Sequence, residues 1–388
     1  MTNLPALRAA PKLLFIVTED WFFASHFLPM ARAARRMGLD VIVATQVDRH
    51  RGVLEQAGVR VIPVATDRRS GFAVPQEVAR LVGVLRHERP DIVHCIALRS
   101  IIAGGLAGRV SGVRRYVLAP TGLGHLWISR GRRAAFGRAV IKRAAAWLRG
   151  PGTVFLFENA DDPAELGVST ARGDRIAFVG GAGVDGNAFP ARPIPPDFPP
   201  LRLAFVGRML WPKGAGLAVE AVRLARARGV KVTLDLFGAP DRSNPDAIPE
   251  QQLEAWGRAE GISWHGAVED VPRVWSEAHA GLLPTYYREG IPRALIEAMA
   301  CGRAVITTNV PGCRDAVRDG IEGLLVPPRD ATALAGAIAA LTPDRLGEMG
   351  AAARRRFEER YTEEAVMAAI TGVYRDLLAV SPPAPARR

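Results

Sequence analysis

Between Ile92 and Phe157 the chain has no Asp or Glu, although that stretch carries Arg99, Arg109, Arg114, Arg115, Arg130, Arg132, Arg133, Arg138, Lys142, Arg143 and Arg149. These cations nearly equal the formal excess of +12 for the whole 388 residues, so the imbalance describes one zone. A local charge excess of this kind speaks about partners more than about fold. Cysteine is scarce: Cys95, Cys301 and Cys313 have no metal-ligand spacing and leave an odd thiol, which excludes a disulfide framework and a zinc site and favours a reducing cytoplasm. No run of about 18 apolar residues occurs, and Met1–Lys12 is too short and too polar for a secretory leader, so a cytoplasmic protein with no membrane span is expected. No Asp-x-Asp occurs, so no metal is expected to hold a diphosphate. Neither half has Gly-x-Gly-x-x-Gly after its first strand, which argues against a dinucleotide oxidoreductase.

What is present is alternation. Short β-branched runs followed by helical periodicity mark parallel strands with crossover helices. Strands are expected at Lys12–Thr18, Asp40–Thr45, Val59–Val64, Asp91–Cys95, Tyr116–Ala119, Val154–Phe157 and Ile176–Val179. The Pro-rich segment Phe189–Pro200 then interrupts regular structure and supplies the best domain boundary. Alternation resumes at Arg202–Val206, Val232–Phe237, Ile262–Trp264, Ala280–Leu283, Ala304–Thr307 and Gly323–Val326. The expected fold is α/β, with two Rossmann-like doubly wound domains, 1–187 and 188–361, facing each other across a cleft. Closing helices follow, and 381–388 reads as a disordered tail.

The most specific stretch is Thr285–Gly302, which places Glu289 before an expected helix Ile291–Cys301, with Pro292 in its first turn and Glu297 inside it. A helix N-terminus after a strand offers N–H groups to phosphate. Eight residues of helix span about 12 Å, the length of a sugar diphosphonucleoside. One carboxylate can then accept sugar hydroxyls and the other the ribose diol. The turn Val206-Gly207-Arg208-Met-Leu-Trp-Pro-Lys213-Gly214 adds a planar fork and a point charge suited to a diphosphate. Taken alone, such a glutamate pair is more often a solvated face.

The paired glutamates, the Gly-Arg-…-Lys-Gly turn and Gly183-Val-Asp185…Phe189 together resemble glycosyltransferase family 4, retaining enzymes of the GT-B fold. The resemblance implies that Arg208 and Lys213 bind the diphosphate of a UDP-sugar. It implies that Glu289, with the Gly290-Ile291-Pro292 backbone, holds the donor sugar, and that Glu297 holds the ribose. The nucleobase is expected beside Phe237-Gly238 and His265-Gly266, with His265 open between base contact and turn residue. The last helix, about 362–380, is expected to pack back on the N-terminal domain. Metal-independent transfer, with the leaving phosphate taking the acceptor proton, follows from the same resemblance.

Where many family members carry a glycine pair, this chain has Thr18-Glu19-Asp-Trp-Phe-Phe-Ala-Ser-His26. Glu19 and His26 are candidate acceptor or phosphate contacts, or His26 caps a helix. Pro120-Thr-Gly122-Leu-Gly124-His125 resembles a subgroup that extends polyprenyl-diphosphate-linked glycans. His125 is either a sugar contact or structural. Next, Ser129–Arg149 sets Phe136, Val140, Ala144 and Trp147 on one face, flanked by Arg130, Arg132, Arg133, Arg138, Lys142 and Arg143. It reads as a helix lying on an anionic membrane surface, or as a core helix with a solvated basic face. Competing functions are a non-hydrolysing UDP-sugar 2-epimerase and a non-catalytic nucleic-acid or membrane binder. No nucleic-acid motif accompanies the charge, so no nucleic-acid partner is expected.

Overall fold

The structure is a computed structural model that describes residues 10–65, 74–129, 131–242 and 244–380; the side chain of His125 is not described. Two compact units divide it: residues up to Ala182 together with Val366 onward, and Gly183–Ala365.

In the first unit β1 (Lys12–Glu19), β2 (Asp40–Gln46), β3 (Arg60–Pro63), β4 (Ile92–Ile96), β5 (Tyr116–Ala119), β6 (Thr153–Phe157) and β7 (Arg175–Phe178) form one sheet in the order β3-β2-β1-β4-β5-β6-β7. Every pairing is parallel. Alternate residues supply separate cores on the two faces, Leu13, Phe15 and Val17 on one and Leu14 and Ile16 on the other. Covering both faces is what a parallel sheet requires, and it explains why the inner strands β1, β2, β4, β5 and β6 are almost continuously buried, while the edge strands β3 and β7 are not. The helix Glu363–Ala379 joins the first face through Val366, Ile370, Tyr374 and Leu377. Tyr374 Oη lies 2.9 Å from His94 Nδ1 on β4, a buried polar pair within the apolar layer.

The second unit holds β8 (Leu201–Val206), β9 (Val232–Phe237), β10 (Ile262–Trp264), β11 (Ala280–Leu283), β12 (Ala304–Thr308) and β13 (Gly323–Val326) in the order β10-β9-β8-β11-β12-β13, again all parallel. In both sheets the order reverses beside the first strand, so the turns leaving β1 and β4, and β8 and β11, open at a switch point.

The Pro-rich segment is not the divide. Val184 and Phe189 lie in the second unit's core, and Val184 bridges to Thr362. Arg303 is fully buried and donates to the carbonyls of Trp275, Arg192 and Pro193. His279, also buried, accepts the Arg202 N–H at Nδ1 (2.9 Å), which leaves Nε2 to donate to Pro195 O (3.1 Å). A buried guanidinium satisfied only by carbonyls fixes the chain that supplies them. The prolines prevent helix and strand but belong to the second unit, and the break at Ala182/Gly183 precedes the boundary expected at 187/188.

Candidate functional site

At the carboxyl edge of the second sheet the turn after β8 and the turn after β11 are built into each other. The single 3-10 turn Trp211–Lys213 ends at Gly214, and the helix Ala215–Ala227 follows. A Cβ on Gly214 would stand 2.2 Å from the Pro284 carbonyl oxygen, so only glycine lets the turns meet. Pro212 O accepts the Tyr286 N–H (2.9 Å) and lies 3.0 Å from Thr285 Oγ1. That hydroxyl is also 3.3 Å from Glu289 Oε1. Lys213 Nζ forms an ion pair with the other Glu289 oxygen, both side chains being largely buried. The structure therefore joins Lys213 and Glu289 directly.

Arg208 lies on the same turn and pairs with Asp241 at 3.0 Å. Glu297 is buried and accepts from Arg293 Nε at 2.7 Å, one helical turn earlier. Burial pushes its carboxyl above the usual glutamate range, against the pull of Arg293. The helix is shorter than expected: it spans Arg293–Ala300, and Pro292 is its N-cap. Pro292 has no N–H to give, and Gly290, Ile291 and Pro292 are all buried. The glutamates are thus separated by a loop and one turn of helix, and not by the continuous helix behind the 12 Å figure. Gly290 is itself supported: a Cβ on Gly312, after β12, would meet its carbonyl oxygen at 1.6 Å.

Gly238, after β9, is committed internally. Its N–H donates to Gly266 O (2.6 Å), its carbonyl accepts the Trp264 indole (2.9 Å), and a Cβ there would stand 1.8 Å from Gly207 O. Gly207 and Gly238 therefore lock β8 to β9 at the sheet edge, and the Gly238 N–H is not available to read a base. His265 stacks on Phe237 (4.5 Å, 11°) and its Nε2 is 2.7 Å from Asp235. Both rings and Asp235 line a cavity of about 860 Å³ that continues past Ala204, Val268 and Val274.

The first unit's carboxyl edge differs. β1 runs directly into the helix Asp20–His26. Glu19 accepts from the Trp21 indole, and His26, in the last turn, has Nδ1 2.6 Å from Ser25 Oγ and packs on Phe22. Asp20 is buried and accepts the N–H groups of Asp48 (2.8 Å) and His50 (3.0 Å), a role the sequence did not reveal. In the turn after β5, Thr121, Gly122 and Gly124 are left-handed and Leu123 is buried. His125 belongs to the short helix Gly124–Ile128, and its side chain lies outside the described residues.

The basic helix spans Arg132–Trp147. Ala134, Ile141 and Ala145 are buried, while Phe136 (72% exposed), Val140 (40%) and Trp147 (51%) are exposed. At 3.6 residues per turn these sets fall on opposite faces. Arg132, Arg133, Lys142 and Arg143 are exposed. Arg138 is the correction: its guanidinium donates to Leu126 O (2.9 Å) and Ser129 O (3.1 Å), so it anchors the preceding loop. Arg130 lies outside the described residues. Among the described residues no helix is long and apolar enough to cross a membrane, and no cluster of three or more His, Cys, Asp or Glu could hold a metal.

Residues 200–344 match the family of glycosyl transferases group 1, and residues 12–146 match the glycosyl transferase 4-like family. The chain is a glycosyltransferase with a 4-like domain followed by a group 1 domain. Over 334 residues the enzyme is 24% identical to the N,N'-diacetylbacillosaminyl-diphospho-undecaprenol alpha-1,3-N-acetylgalactosaminyltransferase of Campylobacter jejuni, covering 82% of this chain and 86% of that one. It is 32% identical over 203 residues to the putative colanic acid biosynthesis glycosyltransferase WcaL of Escherichia coli, about half of each chain. Among solved structures it is similar to Anabaena Alr3699/HepE in complex with UDP-glucose (TM-score 0.73, 18% identity, 94% of this chain and 99% of that one). It is also similar to the sucrose-phosphate synthase of Thermosynechococcus elongatus (TM-score 0.77, 21% identity, 96% and 100%). These likenesses establish the glycosyltransferase's GT-B fold.

Proposed function

We propose that this glycosyltransferase moves a hexose or N-acetylhexosamine from a UDP-sugar to a polyprenyl-diphosphate-linked glycan, with retention and without a metal. The observation that carries the reading is the joining of Lys213 and Glu289 by two interlocked strand-to-helix turns, with Arg208 on one of them and Glu297 on the helix that follows the other. In this reading Arg208 and Lys213 take the diphosphate. Lys213 thereby releases Glu289, whose carboxylate accepts hydroxyls of the donor sugar. Glu297 accepts the ribose diol. Cations set at the leaving group stabilise charge as the glycosidic bond to phosphate breaks, each worth about 3 kcal/mol when well placed. The departing phosphate oxygen takes the acceptor proton, so no separate base is assigned. The base lies by Phe237 and His265, read by groups other than the Gly238 N–H.

The acceptor is assigned to the first unit's edge, at Glu19, His26, Gly122, Gly124 and His125. The Campylobacter relative, named for an undecaprenyl-diphosphate-linked substrate, supports a lipid-linked acceptor. The two-faced helix Arg132–Trp147 supports a peripheral position on an anionic bilayer at the cytoplasmic face, since its exposed apolar stripe is flanked by cations and its own sequence carries no acid.

The test is a transfer screen of UDP-sugars against polyprenyl-diphosphate-linked mono- and disaccharides, run with and without a chelator, with the product anomer assigned by NMR. An α-linked product formed in chelator is the expected result. An inverted product, a chelator-sensitive rate, or epimerised UDP-sugar formed without acceptor would overturn the corresponding part.

A further inference from the structure

Every charged group assigned to the donor is already paired within the chain: Lys213 with Glu289, Glu297 with Arg293, and Arg208 with Asp241. Glu289 gains a task when Lys213 moves to phosphate, and Arg293 steadies Glu297. Asp241 alone has no task in that scheme. Its position is nonetheless built in. The loop that carries it is tied to the Arg208 turn by Met209 N–H to Ala239 O (3.0 Å) and Ile248 N–H to Met209 O (2.9 Å), and it closes on itself through Asn244 N–H to Asp241 O (2.9 Å). An antiparallel bridge between Leu210 and Ala247 completes the clamp. The loop that carries Asp241 is therefore held beside Arg208 by backbone bonds on both sides of Asp241 in sequence.

We infer that Asp241 is a built-in competitor for the nucleotide diphosphate at Arg208, weakening retention of the nucleoside diphosphate product. Resting on the donor reading above, this adds a residue that acts against binding. Arg208 is 41% exposed, so its pair with one carboxylate is held weakly and can be exchanged. A diphosphate offers more charge and a bidentate match to the guanidinium fork, and so displaces Asp241 on arrival. When the glycosidic bond has broken and UDP leaves, the carboxylate reclaims Arg208. The effect is a lower affinity for product at no cost to the arrangement of Arg208, which is aimed at the same place throughout.

The test is titration calorimetry of UDP against the full chain and against Asp241→Asn, which preserves shape and removes the charge. UDP should bind the variant roughly two- to five-fold more tightly, the scale of a half-exposed ion pair. Product inhibition by UDP should strengthen to the same degree. In an Arg208→Gln background Asp241→Asn should change nothing, which separates competition for Arg208 from a general loss of negative charge. Unchanged or weaker UDP binding by Asp241→Asn, or the same gain without Arg208, overturns the inference and leaves the donor reading standing. If the unaltered chain binds none of UDP, GDP and ADP, the donor reading falls and this one with it.

Discussion

The carboxyl edges of the two sheets solve opposite problems. In the second unit, glycines at 207, 214, 238 and 312 allow backbones to approach so closely that a Cβ at 214, 238 or 312 would overlap a carbonyl oxygen. Arg208, Lys213 and Glu289 are thereby held at two neighbouring turns, with Glu297 on the helix that follows. In the first unit the corresponding turn after β1 is filled by Trp21, Phe22 and Phe23, and its buried carboxylate, Asp20, serves the backbone of the next loop. One edge brings charged side chains of both signs together, and in the function proposed above it takes the nucleotide diphosphate. The other is filled by aromatic side chains, and in the function proposed above it takes the acceptor.

The sharpest way to break this comparison is at Glu289. Replacing it with Ala should lower initial rates of transfer by about 10²–10³-fold, the scale seen when a well-placed polar group is removed from a reacting centre. UDP affinity by calorimetry should not fall, because the variant removes the partner that Lys213 must leave. A collapse of UDP binding with transfer preserved under saturating donor would place Glu289 on the nucleotide and reverse the roles of the two glutamates.

A smaller effect is expected at Glu297, and it carries a pH signature. Glu297→Gln should weaken UDP roughly tenfold, about the worth of a charged hydrogen bond. Because burial raises the Glu297 carboxyl, protonation begins above the ordinary glutamate range. A protonated carboxyl accepts ribose hydroxyls less well, so UDP affinity of the unaltered enzyme should decline as pH falls toward that range and recover as it rises. The Gln variant should lack this decline. An identical pH profile in both would remove Glu297 from the ribose.

The central strands were legible because they are buried on both faces and so read as unbroken apolar runs, as in Leu13–Val17 and Ala280–Leu283, whereas β9 alternates buried and half-buried residues. The expected divide at 187/188 already gave Arg192–Pro195 to the second unit, where Arg303 and His279 hold them, and the break falls slightly earlier, at Ala182/Gly183, because Val184 packs in that unit's core and bridges to Thr362. At the second unit's edge, residue types and order singled out Arg208, Lys213, Glu289 and Glu297, of which the structure joins Lys213 to Glu289. The Arg293–Glu297 pair was available from its four-residue spacing and was missed. Asp241 and Gly312 were not readable, since one acts across 33 residues and the other is defined by a contact with Gly290. Pro292 was read as helical because the first turn tolerates proline, but the chain uses it to end the loop.

A last effect, of a size like that at Glu297, tests the first unit away from its sheet edge. Phe136 and Trp147 are exposed on the face of Arg132–Trp147 opposite its buried residues, and Arg132, Arg133 and Arg143 are exposed on the same helix. Phe136→Ser with Trp147→Ser should reduce cosedimentation with vesicles containing anionic lipid by about tenfold, since apolar anchorage and cation attraction add. Vesicles of zwitterionic lipid alone should bind both proteins weakly, and raised salt should weaken the unaltered protein further. Arg138→Gln makes the internal control: its guanidinium is spent on Leu126 and Ser129 carbonyls, so it should lower thermal stability more than vesicle binding. Transfer to a water-soluble acceptor should survive the double change, because neither side chain lies at a sheet edge. Equal vesicle binding by all three proteins, or strong binding to duplex DNA that the double change leaves intact, would show that the basic zone is a solvated face and that the acceptor is met in solution.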